Sequence, residues 1–445
     1  MLSRALLFAL PLLMLAGCSS TQGPSPQTSD SNAETPQVPA DAPQSDAPMP
    51  APSPVSDADL QAAGQSINAF GFDLYGKVAA GSGNLIVSPA SIAIALGMTY
   101  QGAKSETAAE FERVLHAGDS IATAQWHAAM GGLGARWMDL ARGDGGRLPP
   151  TEIALANRLF GAEGVPFHDA FAAASERDYQ APMERLDFTK SDPARKHINA
   201  WVEEQTRTRI KDLLPDGAID ADTRLVLANA IYFKAQWSTP FEAQGTSDGD
   251  FYVEGTTRTQ VPTMRKTAFF AHHSTDDARV LQLPYAGGPF AMTIVMPTKR
   301  DGLPALEAKL SAKTTQAWWG DLQSSRIAVS MPKFKLAPST SLELGPALKS
   351  LGLSKAFTDD ADFQGMVPPE VERLKIDEVF HKGFIEVDES GTEAAAATAV
   401  VMARAGAAPG ANPETFTIDR PFLFFIRDTR SGAILFMGRV ADPTA

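Results

Sequence analysis

The chain has 445 residues, a formal net charge of −13, 44% hydrophobic residues and a single cysteine. The acidic balance, without any cluster of Lys and Arg, excludes nucleic-acid binding, which needs cations gathered against phosphate. A lone cysteine cannot form an intramolecular disulfide, so the fold must be held by its core.

Met1 to Ala16 carries one early cation, Arg4, and then an apolar run from Ala5 to Leu15. That run is too short to span a bilayer and reads as a secretory signal. It ends in LAGC, Leu15 to Cys18, which resembles a bacterial lipoprotein signal. The resemblance implies that residues 1–17 are removed and that Cys18 becomes the lipidated first residue. Two or three acyl chains, palmitate among them, would give stable membrane anchoring where one would be marginal. Ser19 lacks the aspartate that marks inner-membrane retention, which points to the outer membrane, facing the periplasm or the cell surface. From Ser19 to about Pro54 the chain is Pro, Ser, Ala, Gln and Asp with almost no large apolar residue, so residues 18–58 are expected to form a disordered tether. A flexible tether of roughly 36 residues spans about 35 Å. No second linker interrupts residues 59–445, which read as one large domain.

Within that domain Ile67, Phe70, Leu74 and Val78 recur at three and four, predicting a half-buried helix from Leu60 to Val78. Ser88-Pro89 and Asp192-Pro193 each place a capping side chain before a proline suited to the first helical position. The stretches 225–233, 279–285, 290–296, 326–336, 374–387, 421–427 and 433–440 are rich in Val, Ile, Leu and Phe and bounded by Gly, Pro or Asp, the pattern of strands. Strands without regularly alternating helices indicate an α+β fold, with large antiparallel or mixed sheets surrounded by helices.

Catalytic patterns are missing. The histidines at 116, 127, 168, 197, 272, 273 and 381 form no HExxH or comparable metal spacing. His272 and His273 would face opposite ways in a strand. There is no GxSxG elbow. The Ser330-to-Lys333 SxxK contains Pro332 inside a strand-like run, and Gly81-Ser82-Gly83 lacks the lysine of a phosphate loop. No metal, cofactor or enzymatic activity is expected.

The most informative stretch is DESGTEAAAAT, Asp388 to Thr398. In an extended segment Thr392, Ala394, Ala396, Thr398 and Val400 would share one small, mostly apolar face, with Glu393, Ala395, Ala397 and Ala399 on the other. Alanine is disfavoured in permanent strands, but a strand forced between two others needs small side chains. Gly391 supplies a pivot. Taken alone, the run also fits an Ala-rich helix or a surface loop.

Five further segments accompany it in order: NLIVSPASIAIALGMTYQGAKSETAAEFERVL from Asn84, HINAWVEEQTRTRIKDLLP from His197, NAIYFKAQWSTPF from Asn229, VFHKGFIEVDESGTE from Val379 and FTIDRPFLFFIRDTRSGAILFMGRVADP from Phe416. Together they resemble the serpins, serine protease inhibitors, over nearly everything after residue 60. The resemblance implies the serpin fold, with an exposed reactive loop near the C-terminus, and a suicide mechanism. A serine protease would attack the loop, form an acyl-enzyme and be trapped as the cut loop enters the main sheet. By resemblance Glu389, Gly391, Thr392, Glu393, Ala394, Ala395, Ala396, Ala397 and Thr398 form the hinge. Ser88, Ser91, Asn229 and His381 fall where serpins keep a polar cluster beneath the parting sheet, and Trp237 and Glu389 where insertion begins. Ser88 and Ser91 as plain helix caps, and His381 as a satisfied core histidine, explain the same residues. The usual spacing of fourteen residues beyond Gly391 gives a scissile bond Ala405-Gly406 and an elastase-like or subtilisin-like target. A shift of one gives Arg404-Ala405 and a trypsin-like target. The partner would then be a serine protease held covalently by a monomeric inhibitor. A non-inhibitory serpin-fold binding protein and an unrelated exported hydrolase remain alternatives. ARAGAAPGANPET, Ala403 to Thr415, is unusually rich in Gly and Ala, and TIDRPF replaces the commoner ADHPF, which leaves the register of the bait open.

Overall fold

The structure, a computed structural model, describes residues 54–142, 151–371, 374–392 and 413–445. Most helices come early: α1 (Asp57–Val78), α2 (Pro89–Tyr100), α3 (Ser105–Leu115), α4 (Thr123–Arg142), α5 (Asp169–Tyr179) and α6 (Ser191–Gln205), followed later by α7 (Leu303–Glu307), α8 (Ala312–Gly320) and α9 (Gly345–Leu351). One sheet uses β1 (Leu85–Val87), β5 (Ser247–Val253), β6 (Thr257–Ser274), β7 (Ala278–Pro284), β8 (Phe290–Pro297), β9 (Gln323–Pro332), β15 (Glu414–Thr417), β16 (Phe422–Asp428) and β17 (Ile434–Val440). Its order is β1-β17-β16-β8-β7-β6-β9-β15, with β5 on β6. The other uses β2 (Glu152–Ala162), β3 (Glu184–Leu186), β4 (Leu225–Gln236), β10 (Phe334–Leu336), β11 (Leu342–Glu343), β12 (Val379–Gly383), β13 (Ile385–Val387) and β14 (Gly391–Thr392). There the order is β10-β13-β14-β4-β12-β11, with β2 joining β4 and β3. This is the expected α+β arrangement of large mixed sheets with helices around them.

Ser56 caps α1 in a reciprocal box with Asp59, so the first helix begins two residues ahead of the expected domain edge at 59. Ser88 caps α2 as anticipated, accepting from the Ser91 N–H, with Pro89 at the first position. Every residue of α2 is buried, because the helix is apolar all round and packs against both β4 and β17. Asp192 does not cap α6. That helix starts at Ser191, and the Asp192 carboxylate instead takes ion pairs from Lys196 at 2.6 Å and Arg195 at 2.8 Å in the first turn, where negative charge also suits the helix dipole.

The expected strand over 374–387 starts only at Val379. Before it, Glu378 Oε1 accepts from the backbone N–H groups of Gly345 and Val379, capping the start of α9 in place of a ladder. The run 326–336 divides at Lys333 into β9 and β10, which belong to different sheets. Eight strands fall outside the seven expected stretches: β1, β2, β3, β5, β6, β11, β14 and β15. In β2 the buried Ile153, Ala156 and Leu159 recur at three, a helical spacing, and pairing with β4 over Glu152–Gly161 overrides it.

Candidate functional site

β2, β4 and β12 lie side by side, and at one level each presents a polar side chain towards the N-terminus of α2. Asn157 is the register partner of Asn229 across β2 and β4, and His381 is the partner of Asn229 across the parallel β4 and β12. Asn229 is fully buried, as are Ser88 and Ser91. The Asn229 amide donates to Ser91 Oγ and to Asn157 Oδ1, both at 2.7 Å. Its carbonyl faces His381 Nδ1 at 2.8 Å, while His381 Nε2 accepts from the Ser88 N–H at 3.1 Å. Ser88 Oγ donates to the Leu435 carbonyl of β17 at 2.6 Å.

These contacts admit one protonation state. Nε2 must be an unprotonated acceptor, because an N–H points at it, and Nδ1 must carry the proton it gives to Asn229. Burial pushes the His381 imidazole down to about 3, so the ring stays neutral. The four residues singled out from sequence therefore meet in one network. Asn157 was missed: its only signal was a polar residue inside an apolar run, and that run had not been read as a strand.

Above Gly383 the two strands part. β4 and β12 pair from Leu227↔Val379 to Ile231↔Gly383, and higher up Gly391–Thr392 lies between β4 and β13, with Thr392 opposite Ala235 on one side and Val387 on the other. Thr392 is fully buried, and its hydroxyl bonds the Tyr285 hydroxyl at 2.6 Å. Gly391 was expected as a pivot, yet its backbone is ordinary. A Cβ there would fall 2.1 Å from the Ala235 carbonyl oxygen, so glycine is required by close approach to β4. The turn before it is held by Asp388, whose Oδ1 accepts from the N–H groups of Ser390 and Gly391.

Trp237 and Glu389 come together at this same end. The Trp237 indole N–H donates to the Asp388 carbonyl at 3.0 Å and its backbone N–H to the Ser390 carbonyl at 2.9 Å. The ring stacks on Tyr285 at 4.5 Å. Glu389 accepts from Thr246 Oγ1 at 2.7 Å and from Lys333 Nζ at 2.9 Å. Burial alone would raise its carboxyl, but these two donors outweigh it and hold the group below the usual carboxylate range. Tyr285, Thr246 and Lys333 were not anticipated. Lys333 had been weighed only as part of a catalytic SxxK, and its ammonium is engaged with Glu389.

Glu393, Ala394, Ala395, Ala396, Ala397 and Thr398 of the hinge, Arg404, Ala405 and Gly406 of the bait, and Cys18 lie outside the described residues. His272 binds the Ser325 hydroxyl at 2.7 Å. Among the described residues no three His, Cys, Asp or Glu side chains gather where a metal ion could sit.

A family model described as Serpin (serine protease inhibitor) matches residues 65–443. The leukocyte elastase inhibitor of Bos taurus is 36% identical over 371 residues, covering 81% of this chain and 94% of that relative. A serpin-like protein of Thermococcus kodakarensis is 34% identical over 443 residues, covering 98% of each. Among solved structures, human thyroxine-binding globulin complexed with thyroxine superposes with a TM-score of 0.77 at 29% identity, covering 87% of this chain and 100% of the other.

Proposed function

The chain belongs to the serpin family, and from that premise we propose that it inhibits serine proteases as a suicide substrate. The observation that carries the reading is the position of Thr392, a small residue already seated between β4 and β13 at the head of a run of small residues. If the register of Thr392 with Ala235 is continued, each further inserted residue pairs one rung down β4. Thr398 then arrives opposite Asn229, on the same face, and its hydroxyl can take the hydrogen bond that His381 must give up. A strand of about a dozen residues gains on the order of ten backbone hydrogen bonds at roughly 1 kcal/mol net each, comparable with the stability of a whole domain. Trapping needs this insertion to outrun deacylation, which in working proteases turns over at about 1 to 1,000 per second. The inhibitor contributes no catalytic group, since the protease supplies the nucleophile.

The bait is read as Ala405-Gly406, with Arg404 as the alternative residue before the cut. The Ala- and Gly-rich surroundings suit a small primary pocket, and the name of the bovine relative points the same way, to an elastase. The amino-terminal segment is read as a lipoprotein signal with Cys18 lipidated and the domain carried outside the inner membrane on a flexible tether. The support is LAGC itself and a family match that leaves residues 1–64 outside it.

Incubation with elastase and with trypsin tests the reading. A complex that survives denaturing electrophoresis is expected, with a released fragment whose mass places the cut after Ala405. If Arg404→Ala abolishes a strong trypsin inhibition and elastase is untouched by the parent, the bait is Arg404. Clean cutting without a complex would make the protein a non-inhibitory member of the fold, nearer in behaviour to a ligand carrier such as the thyroxine-binding globulin.

A further inference from the structure

Between β10 and β11 the chain leaves its sheet. β10 pairs with β13 at residues 385–387 and β11 pairs with β12 at 380 and 381, so among the described residues 382–384 have no strand partner on that side. A cavity of about 340 Å³ lies in this gap, within the range of small-molecule sites. Leu85, Ile86, Leu336 and Leu342 give it an apolar wall. Successive side chains of a strand point to opposite faces. Gly383 looks towards β1, where a Cβ would meet Ile86 Cγ1 at 3.2 Å, and Lys382 extends to the other face, where its Nζ reaches the Lys211 carbonyl beyond α6.

Lys382 is the unusual member of this lining. It keeps only 9% of its exposure, and among the described residues no carboxylate comes within ion-pair distance of it. The ammonium donates to the carbonyls of Lys211 at 2.9 Å and Ser339 at 3.1 Å, which leaves one of its three N–H groups uncommitted. Ser339 sits in the middle of the 336–342 stretch that lines the cavity, so the charge stands at the cavity rim. A cation withdrawn from water without a counter-ion is costly, and burial lowers this one from its ordinary value against the pull of Asp212. Ala445 belongs to the opposite end, where its carbonyl oxygen lies 3.5 Å from Asn84 Nδ2, two residues or about 7 Å along β1 from Ile86.

We infer that the gap beside Lys382 is a binding site for a small monocarboxylate with a short hydrocarbon body. The carboxylate takes the free N–H of Lys382 and supplies the missing countercharge, while the hydrocarbon lies against Ile86, Leu336 and Leu342. An amine of the same length meets the ammonium with like charge, and an alcohol makes the bond without the charge, so the order of affinities is fixed by the site. A ligand held there joins β12 to the 336–342 stretch and stabilises the folded chain by mass action. Nothing in the inference depends on the inhibitory reading.

Calorimetric titration of the full chain with hexanoate, hexylamine and hexanol tests it. Hexanoate is expected to bind about tenfold tighter than either of the others and to raise the thermal midpoint. Lys382→Met is expected to bring hexanoate down to the affinity of hexanol. Should that variant fail to fold, Ala337→Trp serves, because Ala337 is exposed and lines the cavity. Filling the gap from there is expected to abolish hexanoate binding with the thermal midpoint of the ligand-free protein unchanged. Absence of saturable hexanoate binding overturns the proposal, as do equal affinities for hexanoate and hexanol, or parental hexanoate affinity in either variant.

Discussion

β4 runs alongside the stretch through β12 and β13, yet the two meet in opposite ways at their two ends. At the foot they pair directly, and the rung of Asn229 and His381 is fastened to α2 and β2 by a network in which each polar group is matched. At the head they are held apart by Gly391–Thr392, clasped by Tyr285, Trp237 and the Glu389–Lys333 pair. The foot is a closed polar rung and the head is an opened seam with its first residues in place. Under the proposed insertion the contrast gives the two ends different jobs: the head would set the register of an incoming strand, and the foot the resistance that strand must overcome.

The largest expected effect comes from completing what the head has begun. Cleavage within residues 399–410 frees the segment to run down β4. Roughly ten added hydrogen bonds should raise the thermal midpoint by on the order of 20 °C. In an ordinary protein a nicked loop leaves stability unchanged or lowers it. Calorimetry of cut and uncut protein decides, and an unchanged or lower midpoint breaks the comparison at its root.

Next in size is Thr392→Arg. The side chain is fully buried between β4 and β13 already in the uncut protein, so an arginine without a partner there costs several kcal/mol and drives the head of the loop out. Insertion must then begin by burying it, which slows trapping while leaving the scissile bond open to attack. The expected outcome is a substrate: the variant is cut as fast as the parent, with little detergent-stable complex on gels. Parental trapping efficiency would remove Thr392 from the hinge.

At the foot, Asn229→Ala leaves the His381 Nδ1–H without its acceptor and takes a donor from Ser91 Oγ and Asn157 Oδ1, which keep their 3.2 Å bond to each other. The expected loss is about 2–4 kcal/mol, read as a lower denaturation midpoint. The same network has a pH signature. Burial holds His381 near 3, whereas the unfolded chain takes up a proton below about 6.5. Its share of stability is therefore complete above about pH 6.5 and declines by up to about 1.4 kcal/mol per pH unit as pH falls towards 3. His127, pushed down by burial to about 4, acts with the same sign. His116 acts with the opposite one: burial works to lower it, but its bonds to Asp73 and Asp119 prevail and raise it. Its contribution is present at low pH and lost as pH rises through the raised value. Replacing His381 by Gln, which can still donate to Asn229 and accept from Ser88, should flatten the slope between pH 6 and 4 by one proton.

The foot was more legible in the sequence than the head. Ser88 announces itself as a cap before proline, and Asn229 and His381 are polar residues inside runs of Val, Ile, Leu and Phe, where burial demands hydrogen bonds. The seven long stretches of β-branched and aromatic residues were read as strands because their patterning is local. β6 was not, since its Thr, Arg and Lys residues face water along much of its 18 residues. Nor was β15, which is four residues long and exists by virtue of pairing with β9. The clasp at the head is assembled from Trp237, Tyr285, Lys333 and Glu389, which lie on separate segments, and no spacing links a lysine at the end of β9 to a glutamate beyond β13. Glycine at 391 was right for a reason the sequence does not carry, the nearness of the Ala235 carbonyl.

The smallest effect sharpens the comparison most. Lys333→Ala removes the cation from Glu389, whose side chain keeps only 16% of its exposure against 37% for the lysine. The pair is intermediate between a surface bridge and a buried one, so the loss should be about 1 kcal/mol, hardly visible in a melting curve of this size. Its location makes it visible by another route. Glu389 is tied through its backbone carbonyl to the Phe241 N–H and through its side chain to Thr246, so the lysine is the only one of these anchors that reaches in from β9. Without it the head parts more readily, and the uncut protein should convert faster to a loop-inserted form that no longer traps protease during incubation at 37 °C. Lys335→Ala is the control, because Lys335 meets Glu386 at 3.5 Å with both side chains well exposed, and it should leave that conversion at the parental rate. Equal rates for the two variants would mean that Glu389 holds the head through its backbone and Thr246 alone, and the ion pair would drop out of the account of how the seam stays shut.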